Sequence, residues 1–220
     1  MANSPDHNRI PELGAVILVG GRSSRMGRDK SSLPFGKTTF LEQIAEQIST
    51  VAAPLVVAGK HDQNVSRIID DLSAKLPDVE FISVNDRYPD CGPLDGVSAG
   101  LKELQKTSQF GFVSSCDVPL IKPEMIRMLF NELGSSDAVI PFDDQGRCYG
   151  MSAVYRTDIW PSLDELIEKR MLRVSRLAEH LKAKQVPVAT IRLIDPELES
   201  LMNVNRAEDY EALIRKHFGA

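Results

Sequence analysis

From Leu18 to Lys30 the chain reads Leu18-Val19-Gly20-Gly21-Arg22-Ser23-Ser24-Arg25-Met26-Gly27-Arg28-Asp29-Lys30. Adjacent glycines let a backbone turn sharply and come close to a phosphate. Successive exposed N–H groups in such a turn form an anion-binding nest. Arg25 offers a planar fork and Lys30 a mobile point charge, both suited to phosphate oxygens. Residues 22–37 hold five cations against the single acid Asp29, a local +4 on a chain of net charge −5. A basic loop on an acidic protein suits a small polyanion and argues against general nucleic-acid binding. Two familiar phosphate motifs, G-x-G-x-x-G and G-x-x-x-x-G-K-[ST], are absent. Gly36-Lys37-Thr38 resembles the tail of the second but reads as a turn before a helix.

Asp117 follows Phe110-Gly111-Phe112-Val113-Ser114-Ser115-Cys116, a strand by its pattern. A lone carboxylate at a strand end suits Mg²⁺, which keeps several waters and needs only one or two carboxylates beside substrate phosphates. The same residue also reads as a turn or helix-capping aspartate before Pro119. Asn205 stands three residues before Glu208, which is N-cap spacing for a closing helix. A cap at a helix N-terminus can also face an anionic or metal site. The three cysteines (Cys91, Cys116, Cys148) form no C-x-x-C pair, and the four histidines are scattered. That argues against zinc and against a disulfide framework, and fits a reducing compartment.

These residues need elements to hold them. Gly14–Val19 is an unbroken apolar run, as in a strand buried on both faces. Thr39–Val51 has helical period, with Thr39 and Glu42 at capping-box spacing. Strands follow at 55–58, 81–84, 110–115, 138–141 and 152–155, and 186–193 is strand-like. Helices are expected near 65–76, 94–104, from Pro123, over 160–182 and over 207–217. Such strand–helix alternation predicts an α/β fold, a Rossmann-like three-layer sandwich with a mostly parallel sheet and helices on both faces. Ligands in such folds sit beyond the carboxyl ends of the strands. That picks out the loops at Gly20, Gly59, Asn85 and Cys116.

At 220 residues the chain is long enough for one substantial core. No repeat or low-complexity linker divides it. The expectation is a loose N-terminal tail over 1–11 and a single domain over 12–220. No apolar run reaches membrane-spanning length, and the polar start carries no signal-peptide pattern. The expected setting is cytoplasmic, with no membrane partner.

The Leu18–Lys30 stretch closely resembles the signature of molybdenum cofactor guanylyltransferases, a family of Rossmann-like nucleotidyltransferases. The short Met26-Gly27-Arg28-Asp29-Lys30 form favours that branch over the sugar-nucleotide enzymes. Three further segments agree in order and spacing: Asp86 with Gly92-Pro93-Leu94-Asp95-Gly96, Cys116-Asp117-Val118-Pro119-Leu120, and Asn203-Val204-Asn205-Arg206-Ala207-Glu208-Asp209. The resemblance implies Mg²⁺-dependent transfer of GMP from GTP to the phosphate of molybdopterin, with release of pyrophosphate. It implies that Lys30, Arg25 and Asp117 carry the catalysis. Leu18, Gly20, Gly21, Arg25, Lys30, Asp86, Gly92 and Asp117 would bind the nucleotide, and Asp117 and Asn205 the metal. Contact with a molybdoenzyme or its chaperone is implied by resemblance alone.

The chain departs from the family pattern in three places. Asp95 stands where relatives carry a small residue, Gly59-Lys60 where an asparagine is usual, and Arg147-Cys148-Tyr149-Gly150 where a histidine–proline pair is common. The triphosphate half of the site is therefore better supported than the acceptor half. Three readings stay open: guanylyl transfer, a related transfer that uses CTP on the same cofactor or another phosphorylated acceptor, and a non-catalytic nucleotide-binding module.

Overall fold

The computed structural model describes residues 8–20, 30–60, 63–88 and 90–219. In chain order, the strands are β1 (Leu13–Leu18), β2 (Pro34–Phe35), β3 (Thr38–Thr39), β4 (Leu55–Gly59), β5 (Phe81–Asn85), β6 (Phe110–Ser115), β7 (Ala138–Phe142), β8 (Ala153–Arg156) and β9 (Ala183–Pro187). The helices are α1 (Phe40–Ser49), α2 (Val65–Lys75), α3 (Pro93–Leu104), α4 (Pro123–Asn131), α5 (Trp160–Glu168), α6 (Val188–Ile191) and α7 (Ala207–Phe218).

Seven strands form one sheet in the order β5-β4-β1-β6-β8-β7-β9, and β2 with β3 make a separate small hairpin. β8 runs antiparallel to both neighbours, and the other pairings in the large sheet are parallel. The mostly parallel α/β sandwich expected from the sequence is the fold observed. One apolar layer joins Ala15, Ile17 and Val57 of the sheet to Ile44 and Ile48 of α1 and Met125 and Leu129 of α4. The other joins Val16, Leu18 and Val56 to Leu94, Val97 and Leu101 of α3 and Leu163 of α5. Both faces of β1 are thus buried, which is why its sequence is apolar throughout rather than alternating.

Close packing of α3 on the sheet depends on Gly100. A Cβ there would lie 2.4 Å from Val16 Cγ1, far inside contact distance. This approach carries the first turn of α3 over the end of β1. The Thr39–Glu42 capping box starts α1 as the sequence predicts: Glu42 N–H donates to Thr39 Oγ1 at 3.2 Å, and Thr39 N–H donates to Glu42 Oε2 at 3.0 Å. Gly36-Lys37 is the turn of the β2–β3 hairpin, with Gly36 at φ 62°.

Two expectations are corrected. The helix read over 160–182 ends at Glu168, because Arg170 takes a left-handed φ of 57° and Met171 N–H closes back on Leu166 O at 2.9 Å. That is the bond pattern of a Schellman stop. A 3₁₀ segment, Val174–Glu179, follows. The strand read over 186–193 lies instead at 183–187, on the sheet edge where Pro187 is tolerated, and 188–191 is a helical turn. Of the segment read as a tail, residues 1–7 lie outside the described residues. Over 8–10 the chain is docked: Ile10 N–H donates to Val51 O at 2.8 Å, and Arg9 Nε to Ser49 O at 3.0 Å. Among the described residues no helix is long and apolar enough to cross a membrane.

Candidate active site

The carboxyl ends of β1, β4, β5 and β6 lie side by side, so the loops that leave them share one edge of the sheet. β6 ends at Ser115 and turns through Cys116 and Asp117, and Cys116 N–H donates to Leu18 O at the end of β1 (3.0 Å). Asp117 is held from three directions. Ser115 donates its hydroxyl to Asp117 Oδ1. Lys30 Nζ and Asn203 Nδ2 each donate to Asp117 Oδ2 at 3.3 Å. Lys30 Nζ also donates to Asn205 Oδ1 at 2.7 Å. The side chains of Lys30 and Asp117 are only 14% and 15% exposed, so this charge pair is screened less than a surface pair. Residues 87 and 175 positions distant from Lys30 thus meet at one ammonium.

Asn205 does not cap α7, contrary to the helix-cap alternative. Arg206 is the N-cap, and the Asp209 carboxylate accepts from the N–H groups of Asn205 (3.0 Å) and Arg206 (2.9 Å). With the helix start satisfied by Asp209, the Asn205 amide is left to face Lys30. The backbone N–H of Val204 donates to Asp117 O at 2.8 Å, which pins the two loops together. Ser115 is a contact of Asp117 that no sequence pattern selects, and Asn203, which the resemblance sets near the metal and phosphates as second to Asn205, bonds Asp117 directly.

The oxygens here, from one carboxylate, an amide and a hydroxyl, are hard donors. Among the described residues no group of three His, Cys, Asp or Glu gathers as zinc would require. A cation that keeps its waters and leans on substrate phosphates fits this set. The Lys30 ammonium, lying between Asp117 Oδ2 and Asn205 Oδ1, shows that the spot accepts positive charge.

Beside this cluster lies a second one. Leu18, Asp86 and Gly96 meet: a Cβ on Gly96 would sit 2.9 Å from Leu18 Cδ2 and 3.2 Å from Asp86 Oδ1. Gly20 faces Lys60, whose Cγ would be 3.0 Å from an added Cβ. Gly92, at φ 64°, precedes Pro93 at the start of α3 and has open space around its missing side chain. Burial, and after it the charge of Asp95, push the Asp86 carboxyl up to about 6, against the pull of Lys60 and Arg87. Gly21 and Arg25 lie outside the described residues.

Asp95 has a supporting position rather than an open one. It is fully buried and accepts from the backbone N–H groups of Arg87 (2.5 Å) and Tyr88 (2.8 Å). The Arg87 guanidinium bridges Asp95 Oδ1 (3.1 Å) and Asp164 Oδ1 (2.7 Å), and Ser98 donates to the same Asp164 oxygen at 2.5 Å. This network fixes the loop that presents Asp86.

Next to Asn203 and Ser115 opens a cleft of about 120 Å³ lined by Arg147, Cys148, Tyr149 and Ser175. Asp143 shapes its rim: Oδ1 accepts from the N–H groups of Gln145 (3.0 Å) and Arg147 (2.9 Å), and Tyr149 OH donates to Oδ2 at 3.3 Å. The Arg147 N–H bond, ahead of the others, holds the Asp143 carboxyl below its ordinary range. The Arg147 guanidinium lies 5.1 Å from the centre of the Tyr149 ring, so a cation and a flat apolar face stand together on the wall.

Comparison with known proteins places the fold and the family. The family model described as "MobA-like NTP transferase domain" matches residues 15–186. The protein named "Probable molybdenum cofactor guanylyltransferase" in Methanosarcina mazei is 32% identical over 204 residues, spanning 91% of this chain and 89% of that one. Its namesake in Methanosarcina acetivorans is 32% identical over 94% of this chain and 92% of its own. The solved structure of molybdopterin-guanine dinucleotide biosynthesis protein A from Archaeoglobus fulgidus superposes with a TM-score of 0.73 at 25% identity, covering 90% of this chain and 95% of that one. A strand-end aspartate, a loop lysine and a paired-asparagine loop thus meet on a fold shared along nearly the whole chain, and the chain belongs to the MobA-like NTP transferase family, among the nucleotidyltransferase enzymes related to molybdenum cofactor guanylyltransferases.

Proposed function

We propose that this protein transfers GMP from GTP to the terminal phosphate of a molybdopterin-type acceptor in a Mg²⁺-dependent reaction that releases pyrophosphate. The observation that carries the reading is the meeting of Lys30, Asp117 and Asn205 at the strand ends. Residues 12–220 act in it as one catalytic unit, since that cluster draws on both ends of the chain.

Lys30 holds the triphosphate and balances the charge that grows as pyrophosphate leaves, and Arg25 joins it on the strength of the sequence motif. Gly20, Gly21 and Gly92 let the backbone come close to the nucleotide, and Leu18 walls its binding site. Ionised Asp86 accepts from the nucleobase; guanine offers adjacent ring and amino N–H donors to a two-oxygen acceptor. Asp117 and Asn205 hold Mg²⁺, which supplies positive charge to the phosphate oxygens when bound. An oxygen of the acceptor phosphate attacks the α-phosphorus in line. A new P–O bond forms as the bond to the α,β-bridging oxygen breaks, and pyrophosphate leaves with that electron pair. A phosphate monoester is already ionised near neutral pH, its second pKa being about 6, so no side chain needs to take a proton from the attacking oxygen. Positioning and electrostatics carry the catalysis.

The acceptor enters from the Arg147–Tyr149 cleft, with its phosphate towards Asn203. The proposed setting is cytoplasmic, which three widely spaced cysteines without a C-x-x-C pair suit. The test is thermal unfolding of the purified protein with GTP, CTP, ATP or UTP, each with and without Mg²⁺. Ligand at a hundred times its dissociation constant adds about 2.7 kcal/mol to stability. A Mg²⁺-dependent shift selective for GTP, lost in Asp117→Ala, is expected, followed by pyrophosphate release when molybdopterin is added. Selectivity for CTP would reassign the base, and no shift with any nucleotide would overturn the reading.

A further inference from the structure

The site described above uses neither Lys122 nor Asp195. Asp195 is fully buried, and a buried carboxylate without partners would cost several kcal/mol. Its partners are specific. Lys122 Nζ donates to Oδ1 at 2.7 Å, and Ser200 N–H donates to Oδ2 at 2.8 Å. Lys122 N–H in turn donates to Ser200 Oγ at 3.0 Å, and its ammonium pairs with Glu199 at 3.1 Å. Glu199 extends the network to Lys216 on α7 at 2.7 Å. Leu198, between them, sits at a left-handed φ of 52°, a strained state that persists only where its surroundings enforce it.

The two chain segments tied here both lead to the site. One runs from Asp117 through Val118 and Ile121 to Lys122, and the other from Ser200 through Leu201 to Asn203, Val204 and Asn205. They are cross-linked twice, by Val204 N–H to Asp117 O and by the Lys122 knot, with buried Val118, Ile121, Leu201 and Val204 between. An apolar knot would hold the segments as firmly, since buried ion pairs rarely add net stability over packed hydrophobes. What directed bonds add is register.

We propose that Lys122 and Asp195 are a positioning pair that sets the reach of Asn203 and Asn205 towards Asp117 and so tunes the metal–phosphate corner. This rests on the assignment of Asp117 and Asn205 to the metal. Partners bonded directly to a metal's ligands typically cost 10–100-fold in affinity or activity when removed, and this pair, which acts through Ser200 and the segment leading to Asn203, belongs at the lower end of that range.

The test is Mn²⁺ binding in the presence of GTP, followed by electron paramagnetic resonance, alongside steady-state kinetics. Asp195→Asn and Lys122→Met should each weaken Mn²⁺ binding by roughly 10-fold or more and lower kcat with little change in KM for GTP. The double variant should be no worse than either alone, because the two act as a unit. Lys122→Arg should recover part of the loss. If both variants fail to fold, Ser200→Ala, which removes the hydroxyl's bonds to Lys122 N–H and to Asp195 but no charge, carries the test with a smaller loss in the same direction. Wild-type Mn²⁺ affinity and kcat in a folded variant would overturn the inference and leave the knot a purely structural tie. Asp117→Ala separates the two levels. If it loses the metal while Asp195→Asn or Ser200→Ala keeps it, only the positioning inference falls; if it keeps the metal, the assignment beneath falls too.

Discussion

The two sides of the site are built in opposite ways. The corner at Asp117 draws on residues far apart in sequence, Lys30, Ser115–Asp117, Asn203 and Asn205, and its functional groups hold one another. The wall at Arg147 comes from one short stretch, residues 143–149, shaped by a single carboxylate, Asp143, at its base. A corner whose groups satisfy each other cannot lose one without disturbing the rest. A rim loop hung on one aspartate can change its tip residues and keep its shape. The difference suits a site whose nucleotide chemistry is constant and whose second substrate is recognised on a replaceable edge.

The largest expected effect follows from the corner. Asp117→Ala and Lys30→Ala should each lower turnover by roughly 10²–10³, the usual cost of removing one preorganised charge stabiliser. Because the two are bonded to each other, the double variant should fall well short of the product of the single losses. Steady-state rates at saturating GTP and Mg²⁺ check this; near-normal turnover of Lys30→Ala, or full multiplicativity, would break the picture of a mutually held corner.

The rim should behave differently. Arg147→Ala should raise KM for the acceptor by roughly 10-fold, as for loss of one hydrogen bond to a charged group, and leave KM for GTP where it was. Asp143→Ala should act in the same direction by loosening the loop. If either variant shifts KM for GTP as much as KM for the acceptor, the division between the two halves is wrong.

The same contrast explains what could be read from the sequence. The long apolar run of β1 and the Thr39–Glu42 box are local patterns, and they named their elements correctly. Lys30, Asp117 and Asn205 were picked from motif and strand-end position, and the fold brings the three together. Reading failed where a backbone conformation or a partner outside the expected spacing decided the outcome. Arg170 breaks a stretch whose apolar period continues to Leu181, through a backbone conformation that no spacing shows. Asp95 departs from the small residue of the family pattern, and it faces inward to Arg87, whose second carboxylate partner, Asp164, is 77 residues further on. Asn205 read as a helix cap because Glu208 lies three residues on, yet Asp209 provides the capping oxygen. In each case the deciding feature, the left-handed backbone at Arg170, the Arg87 bond to Asp95 or the Asp209 oxygen, lies outside the spacing that the sequence displays.

The smallest expected effect belongs to Asp86, and it sets two demands against each other. Its carboxyl is raised from 3.8 to about 6, mainly by burial and then by Asp95. As a nucleobase acceptor it must be ionised, so GTP affinity should hold above pH 6 and weaken below it, approaching about tenfold per pH unit by simple proton competition. Asp86→Asn should flatten that dependence at a generally lower affinity. Folding asks for the reverse. A group whose folded pKa is raised contributes stability in its neutral form; that stability is fully present below 3.8 and is lost as pH rises through about 6. Asp86→Asn should therefore stabilise the unliganded protein at pH 8, by about 1 kcal/mol after allowance for solvent screening, and change little at pH 4. Thermal unfolding at the two pH values, with and without GTP, checks both signs at once. If the variant is less stable at pH 8 and binds GTP with unchanged pH dependence, Asp86 is a structural residue of its loop, and base recognition must be sought elsewhere along the β4 and β5 ends.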